Sequence, residues 1–532
     1  MRNKYLYKKI VLGSITLGTL FFAGSCTQDL EREPSLGLTS SSLYKDFGNY
    51  KPALAKIYAG LAIGGQGDQS NGDGNTDIGG IDGGFSNYLR QMFSMQVLTT
   101  DEAVIAWADS GLPEMHSMTW NASNPFVAAI YYRIFNVIAV SNEFIKNTSD
   151  EKLSSNGISG DNLTEAKYMR AEARFLRAQS YYHALDLFGN VPFVTENTDI
   201  ITSPPPRIVR AELFKFVESE LLACANELKD AKTNEYGRAD KAAAWSLLAR
   251  LYLNAQVYTG TARYTDCITY CNKVINAGYT LKTNYASLFM ADNNVSNPEV
   301  ILSVNYDGTN TRTYGGSTFM VHAAVGGSMP ASQFGINGGW GGLRTTKSFV
   351  NLFAGSPGDQ RGNFYTSGQN LEINNVSTFT DGYAFIKYKN IKYSNNTPGS
   401  DASGNFVDAD IPLYRLADIY LMYGEAVTRG GSGGSLTTAL GYVNALRTRA
   451  GGSTVSSINT DFFLDERSRE MSWEATRRTD LIRYGKFTSS SYLWPWKGGI
   501  KEGKAVEDYR NLFPIPANDI VANPNLIQNP GY

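Results

Sequence analysis

The sequence predicts a mainly α-helical fold: tetratricopeptide-like helix pairs forming an α-α superhelix, interrupted by long loop-rich insertions that carry the ligand-binding surface. Three observations predict it. Apolar residues recur at three- and four-residue spacing in several long segments, which is the period of a helix with one buried face. Small residues alternate with Leu and Tyr on consecutive helical segments, as they do where neighbouring helices approach closely in helical repeats. Between these segments lie stretches rich in both glycine and aromatic residues, within a chain that holds 52 Gly and 32 Tyr. Loops of such length in a compact chain are functional or disordered, and their rings argue for order.

Taken in order, the chain opens with a targeting signal. Arg2, Lys4, Lys8 and Lys9 precede an apolar run from Ile10 to Ala23 that is short for a membrane span. This is a signal peptide over residues 1–25. It ends at Phe22-Ala23-Gly24-Ser25-Cys26, which resembles a bacterial lipobox, with Ala23 where Leu is commonest. Cys26 is therefore the expected lipidation site, and more than one acyl chain would anchor the protein stably. Residues 26–40 form a linker, and Asp29, Glu31 and Glu33 resemble the acidic signal that sends such lipoproteins to the outer face of the cell.

Residues 41–532 are expected to form a single domain, with the helical scaffold mainly at 41–62, 120–280 and 410–485. Pro52 suits a helix start, and Leu54, Ile57, Tyr58 and Leu61 then fall on one stripe. A longer helix is predicted from Thr164 to Phe188, stopped by Gly189. Ala244 to Ala255 and Tyr264 to Ile275 make a helical hairpin; Leu416 to Tyr423 and Leu440 to Leu446 make another, ending at Gly451. One charged helix is predicted through Leu464 to Tyr484, its Asp465/Arg469 and Glu474/Arg478 spacings supporting a solvated, hydrogen-bonding face. The loop-rich part is expected mainly at 63–119 and 286–410.

Composition and motifs exclude several functions. A formal net charge of -2 and the lack of a long basic run give no electrostatic footprint for nucleic acid. There is no nucleophile-elbow serine, zinc-binding helix or phosphate-binding glycine loop. Of His116, His183 and His322, His183 falls within a structural helix. Asp101-Glu102 and Asp109 could in principle serve a two-carboxylate glycosidase. However, Thr99-x-x-Glu102 reads as a capping box at a helix start. The run Gly72 to Asp77 has the beginning of a calcium loop, but Ile78 and Gly84 stand where Gly and Glu are needed, so no metal is assigned. Cys224, Cys267 and Cys271 offer no disulfide framework, and the last two share a helix face as small buried residues. No cofactor is called for.

The run Glu165 to Ala178, continuing through Tyr181-Tyr182 to Leu187-Phe188-Gly189-Asn190-Val191-Pro192, resembles the hallmark helix and exit loop of the SusD/RagB family. Tyr414 to Ala426 resembles the family's late helix, Arg477-Arg478 with Asp480 to Gly485 its basic helix, and Leu512 to Pro516 with Asn523 to Tyr532 its chain end. The resemblance implies four tetratricopeptide-like helix pairs. It also implies no enzymatic activity, an outer-membrane location and a TonB-dependent transporter as partner. Gly80 to Gly84, Tyr88 to Arg90, Leu98 to Glu102, Trp107, Asp109, Gly111 and Pro113-Glu114 are similar to the matching stretch of the family's starch-binding founding member. By that likeness Trp107 is an aromatic platform, and Asp82 and Arg90 are polar contacts to sugar hydroxyls, chemistry that suits a pyranose with an apolar face and a hydroxyl belt. Trp340, between glycines in Gly338 to Gly342, is a second candidate ring; Tyr314, before Gly315-Gly316, is a third, and Tyr306 is weaker. Trp494 and Trp496 have no sugar-specific context. The expected function is capture of an α-glucan, starch or maltooligosaccharide, for that transporter. The alternative is the same scaffold serving another polysaccharide or peptides.

Overall fold

In the computed structural model, which describes residues 40–65, 76–199 and 202–532, the scaffold starts with α1 (Tyr50–Ala62). Pro52 sits in its first turn, where a missing N–H costs nothing. The further helices are α2 (Tyr88–Gln96), α3 (Pro125–Asn147), α4 (Gly160–Leu187), α5 (Arg210–Glu227), α6 (Lys241–Leu253) and α7 (Tyr264–Asn276). After the loop-rich insertion, which contains α8 (Gly316–His322), come α9 (Leu416–Thr428), α10 (Leu436–Arg449), α11 (Thr460–Met471) and α12 (Arg477–Arg483). Helices α3 to α7, then α9 and α10, pack each on the next, so the apolar stripe of one covers that of its neighbour. The close approach is legible in the small residues: Ala171, Ala173, Ala178, Ala184, Ala242 to Ala244 and Ala249 are all fully buried.

The strands are short and paired antiparallel. They are β1 (Val104–Ile105) with β5 (Leu343–Arg344), β2 (Val191–Pro192) with β3 (Arg207–Ile208), β4 (Val300–Val304) with β8 (Ile411–Arg415), and β6 (Phe364–Tyr365) with β7 (Ala384–Phe385). β4 and β8 fasten the two ends of the insertion to each other, immediately before α9. The insertion is thereby anchored on the scaffold at its base.

The structure departs from the sequence reading at several points. Thr99 and Glu102 do not start a helix: they follow the end of α2 at Gln96. Thr99 Oγ1 donates to Met95 O, and the buried Glu102 carboxylate accepts from Ser468 Oγ and Trp473 N. The charged segment 464–484 is two helices, because Trp473 and Ala475 between α11 and α12 hold φ of 61° and 57° in the left-handed region. Its charges are not solvated either: Glu466, Arg467, Glu470, Arg477, Arg478 and Asp480 are buried. Arg469 pairs with Glu466 rather than Asp465, and Glu474 with Arg415 and Lys387 rather than Arg478. Tyr306 is a core residue whose hydroxyl donates to Ala62 O. Trp494 is buried.

Cys224, Cys267 and Cys271 are buried and unbridged. Cys26, the signal peptide, the acidic residues after it and residues 72–75 of the calcium-like run lie outside the described residues. Asp77 at the end of that run pairs with the buried guanidinium of Arg133 at 2.6 Å. Among the described residues no group of three or more His, Cys, Asp or Glu is placed to hold a metal ion, and no helix is long and apolar enough to cross a membrane.

Candidate functional site

The site begins with the β1–β5 ribbon. Val104 pairs with Arg344 and Ile105 with Leu343, and Ala106 N continues the ladder to Gly342 O at 2.9 Å. This register carries Trp107, just past β1, beside Trp340, just before β5, although 233 positions separate them. Trp107 Nε1 donates to Trp340 O at 3.2 Å, and the two ring centroids lie 6.2 Å apart at 46°. Buried hydroxyls lock the ribbon below the rings: Thr345 Oγ1 donates to Glu102 O and Thr346 Oγ1 to Asp101 O.

Tyr314 enters from the turn before α8, with its ring 5.9 Å from Trp340 at 69°. Each of these half-buried rings has another ring behind or beside it. Phe319 meets Trp107 edge-on at 6.0 Å, Phe406 stacks on Tyr314 at 5.4 Å, and His322 stacks on Trp340 at 4.6 Å and 24°. Trp340 is therefore not a bare ring, as its glycine neighbours suggested. Two of those glycines serve close approach instead: a Cβ on Gly339 would stand 2.2 Å from Val325 O, and one on Gly342 2.7 Å from the Trp107 indole. Gly316 has φ +53°, and a Cβ there would stand 2.2 Å from Tyr306.

Arg90 lies in the first turn of α2, its guanidinium 5.6 Å from the Trp107 centroid and 4.6 Å from that of Phe319, with Nη1 donating to Gly84 O at 2.8 Å. Stacking on two rings fixes the planar fork while leaving its charge at the surface of the site. Together Gly84, Arg90, Trp107, Tyr314, His322, Trp340 and Asn405 line a cleft of about 380 Å³. Asp82 is exposed beside this wall but outside it; its Oδ1 accepts from Gly84 N at 2.7 Å and shapes the turn that presents Gly84. The structure thus brings together Trp107, Trp340, Tyr314 and Arg90 and leaves Asp82 at the rim.

Sequence reasoning missed Asn405 and His322. Asn405 belongs to a loop organised by Asp401, whose Oδ2 accepts from Asn405 N and Phe406 N, and no periodic signal marks it. Of the three carboxylates that could have served a glycosidase, none lines the cleft, and Asp109 is exposed outside it. Asp101 and Glu102 are fully buried, with Asp101 held in a two-pronged pair by Arg477. The cleft as built can stack sugar rings and hydrogen-bond hydroxyls.

A model of the SusD family matches residues 359–532, and a model described as starch-binding associating with outer membrane matches residues 86–253. The chain is 33% identical over 586 aligned positions to the starch-binding protein SusD of Bacteroides thetaiotaomicron, covering 100% of each. It is 23% identical over 454 positions to SusD-like protein P2 of Formosa agariphila, covering 79% of this chain and 83% of that one. A solved structure, surface glycan-binding protein A from Bacteroides thetaiotaomicron in complex with laminarihexaose, has the same fold, with a TM-score of 0.67 at 20% identity over 91% of this chain and 99% of that one. With identity at this level along its whole length, and a helical scaffold to match, the chain belongs to the SusD family.

Proposed function

We propose that this protein is a noncatalytic cell-surface lipoprotein that captures an α-glucan, starch or a maltooligosaccharide, and delivers it to a TonB-dependent outer-membrane transporter. The observation that carries the reading is the set of Trp107, Trp340 and Tyr314 around one cleft, inclined at 46° and 69° rather than coplanar. A sugar ring stacks its apolar C–H face on an indole or phenol. Inclined platforms suit a chain whose successive sugar faces turn, as they do in a helical α-glucan, whereas a flat ribbon-like glycan would favour coplanar rings. Arg90 and Asn405 supply polar groups at the edge of the rings for hydroxyls, and the SusD relative that spans the whole chain is named for starch binding.

SusD family members are noncatalytic carbohydrate-binding proteins, in keeping with a cleft wall of aromatic and neutral or cationic side chains. Attachment through Cys26 and an outward-facing position rest on the lipobox and on the outer-membrane description of the matched family. The transporter rests on the likeness to SusD/RagB proteins.

Affinity electrophoresis tests the cargo. The protein runs in native gels containing amylopectin, dextran, laminarin or xylan, beside Trp107→Ala and Trp340→Ala. Retardation by amylopectin that either substitution abolishes is the expected result. Retardation by laminarin or xylan alone makes another polysaccharide the cargo. No retardation in any gel leaves peptides as the leading cargo.

A further inference from the structure

We propose that His322 is a positioning residue for the sugar-stacking face of Trp340, an inference that rests on the glycan-binding reading of the cleft. Three contacts converge on this one side chain and its backbone. The imidazole stacks on the Trp340 indole with centroids 4.6 Å apart and planes 24° from parallel. Its Nδ1 lies 2.7 Å from Gly338 O, and because a carbonyl only accepts, the proton sits on Nδ1. The His322 carbonyl in turn accepts from Trp340 N at 2.8 Å. One residue at the end of α8 therefore holds the glycine loop at Gly338 and at the backbone of Trp340 itself and covers one face of its ring.

The physical need for such a clamp follows from the loop. Gly338, Gly339, Gly341 and Gly342 contribute no side chains, so nothing within the loop itself restrains the rotamer of Trp340. The restraint has to come from outside, and His322 is 1% exposed and packed within the core beneath the cleft. Its Nε2 is buried without a hydrogen bond of good geometry among the described residues, beside the backbone of Gly404 and Asn405, and burial holds the imidazole below its ordinary range and so neutral. A neutral ring backs the indole as a flat surface, and Trp340 is left to offer its opposite face as a one-sided platform. Although it lies at the cleft wall, His322 is almost wholly buried, so it acts on where the sugar stacks through Trp340.

The test uses protein labelled with 5-fluorotryptophan, its Trp340 resonance assigned by Trp340→Phe, and titration with maltoheptaose. In His322→Ala the Trp340 resonance moves and broadens before any sugar is added, and affinity falls about tenfold, the scale expected for a lost aromatic pair plus its tether. His322→Phe, which restores a ring but not the Gly338 bond, returns the resonance toward its parent position and brings affinity to within about threefold of the parent, the residue of a ring pair kept without its tether. A circular-dichroism melt of each variant guards against general unfolding; if His322→Ala fails to fold, His322→Gln, which keeps a donor without a ring, replaces it in the comparison with His322→Phe. An unmoved Trp340 resonance in the ringless variant overturns the proposal, and so does a His322→Phe variant that behaves like the ringless one. If the parent binds no maltoheptaose, the glycan reading fails while the resonances still decide whether His322 positions Trp340.

Discussion

Glu102 shows how far a residue's environment can depart from what its neighbours in sequence suggest. Burial raises its carboxyl and Arg477 opposes this only in part, so the group is pushed up to about 7 from an ordinary 4.5. With the folded value above the unfolded one, the proton stabilises the native state; that contribution is complete below about pH 4.5 and is lost as pH rises through 7. Stability should therefore decline by up to about 1.4 kcal/mol per pH unit across this window on account of this group. Urea titrations at intervals between pH 4.5 and 8 on the parent and on Glu102→Gln measure it: the difference between the two curves should slope in that window and flatten above it. Asp410, pushed up to about 6, slopes the same way in both proteins and cancels from the difference. Nothing in Thr99-x-x-Glu102 marked a buried carboxylate, because its partners Ser468 and Trp473 lie more than 360 positions away.

At the scale of the element, the β1–β5 ribbon explains why so few residues suffice to build the platform. A two-residue ladder is marginal alone, but here it is braced by Thr345 and Thr346 and capped by the Trp107–Trp340 contact. Gly342 is its tightest point, with Trp107 Cε2, Cζ2 and Nε1 at 2.7, 2.8 and 3.0 Å from where a Cβ would be. Its backbone is not left-handed, so Gly342→Ala acts through this clash rather than through strain in φ. The variant should displace the Trp107 ring, lose about 1–3 kcal/mol of stability as an overpacked site does, and bind maltoheptaose about tenfold more weakly. Calorimetric titration beside a thermal melt separates the two effects; unchanged binding would mean that the Trp107 ring can shift without consequence. The helices themselves were legible, since α1, α4, α6, α7, α9 and α10 each show a stripe at helical spacing. The break between α11 and α12 was not. It is made by Trp473 and Ala475 in conformations that neither residue favours, held by tertiary bonds such as Trp473 N to Glu102.

Over the whole molecule, a buried ionic network joins the loop-rich insertion to the C-terminal helices. Arg415 at the end of β8 bonds Glu299, Glu470 and Glu474; Arg361 bonds Asp359, Glu466 and Glu470; Arg449 reaches Glu299 and Glu470; and Lys387 reaches Glu474. Removing one partner from such a site strands the rest, so Arg415→Met should cost about 3–5 kcal/mol in urea unfolding. Burial works to raise the Glu470 carboxyl, but Arg449, Arg415 and Arg361 hold it well below the usual range. Glu425, which burial likewise works to raise, is held down to about 2 by Arg483 and Arg429. Both carboxylates have folded values below their unfolded ones, so their stabilisation is present above about pH 4.5 and is lost as pH falls toward 2. Acid unfolding should begin at a higher pH in Arg415→Met than in the parent, because Glu470 then loses one of the cations that keep it ionised. Coincident acid transitions in the two proteins would show that the network adds nothing at low pH.

The sequence by itself determined the helical scaffold, the placement of long insertions within it, and candidate rings in their glycine-rich turns, because periodicity, small-residue patterning and glycine–aromatic runs are local properties of the chain. Trp340 and Tyr314 could be picked out in this way, whereas Trp107 and Arg90 were marked by the likeness to the family's starch-binding member. Only the tertiary structure decided that these four share one cleft, that Asp82 stays at its rim, that His322 and Asn405 complete the wall, and that the charges of 464–484 face inward. Each of those outcomes depends on pairings between segments hundreds of residues apart, such as β1 with β5 and Glu102 with Trp473, whose partners no local pattern encodes.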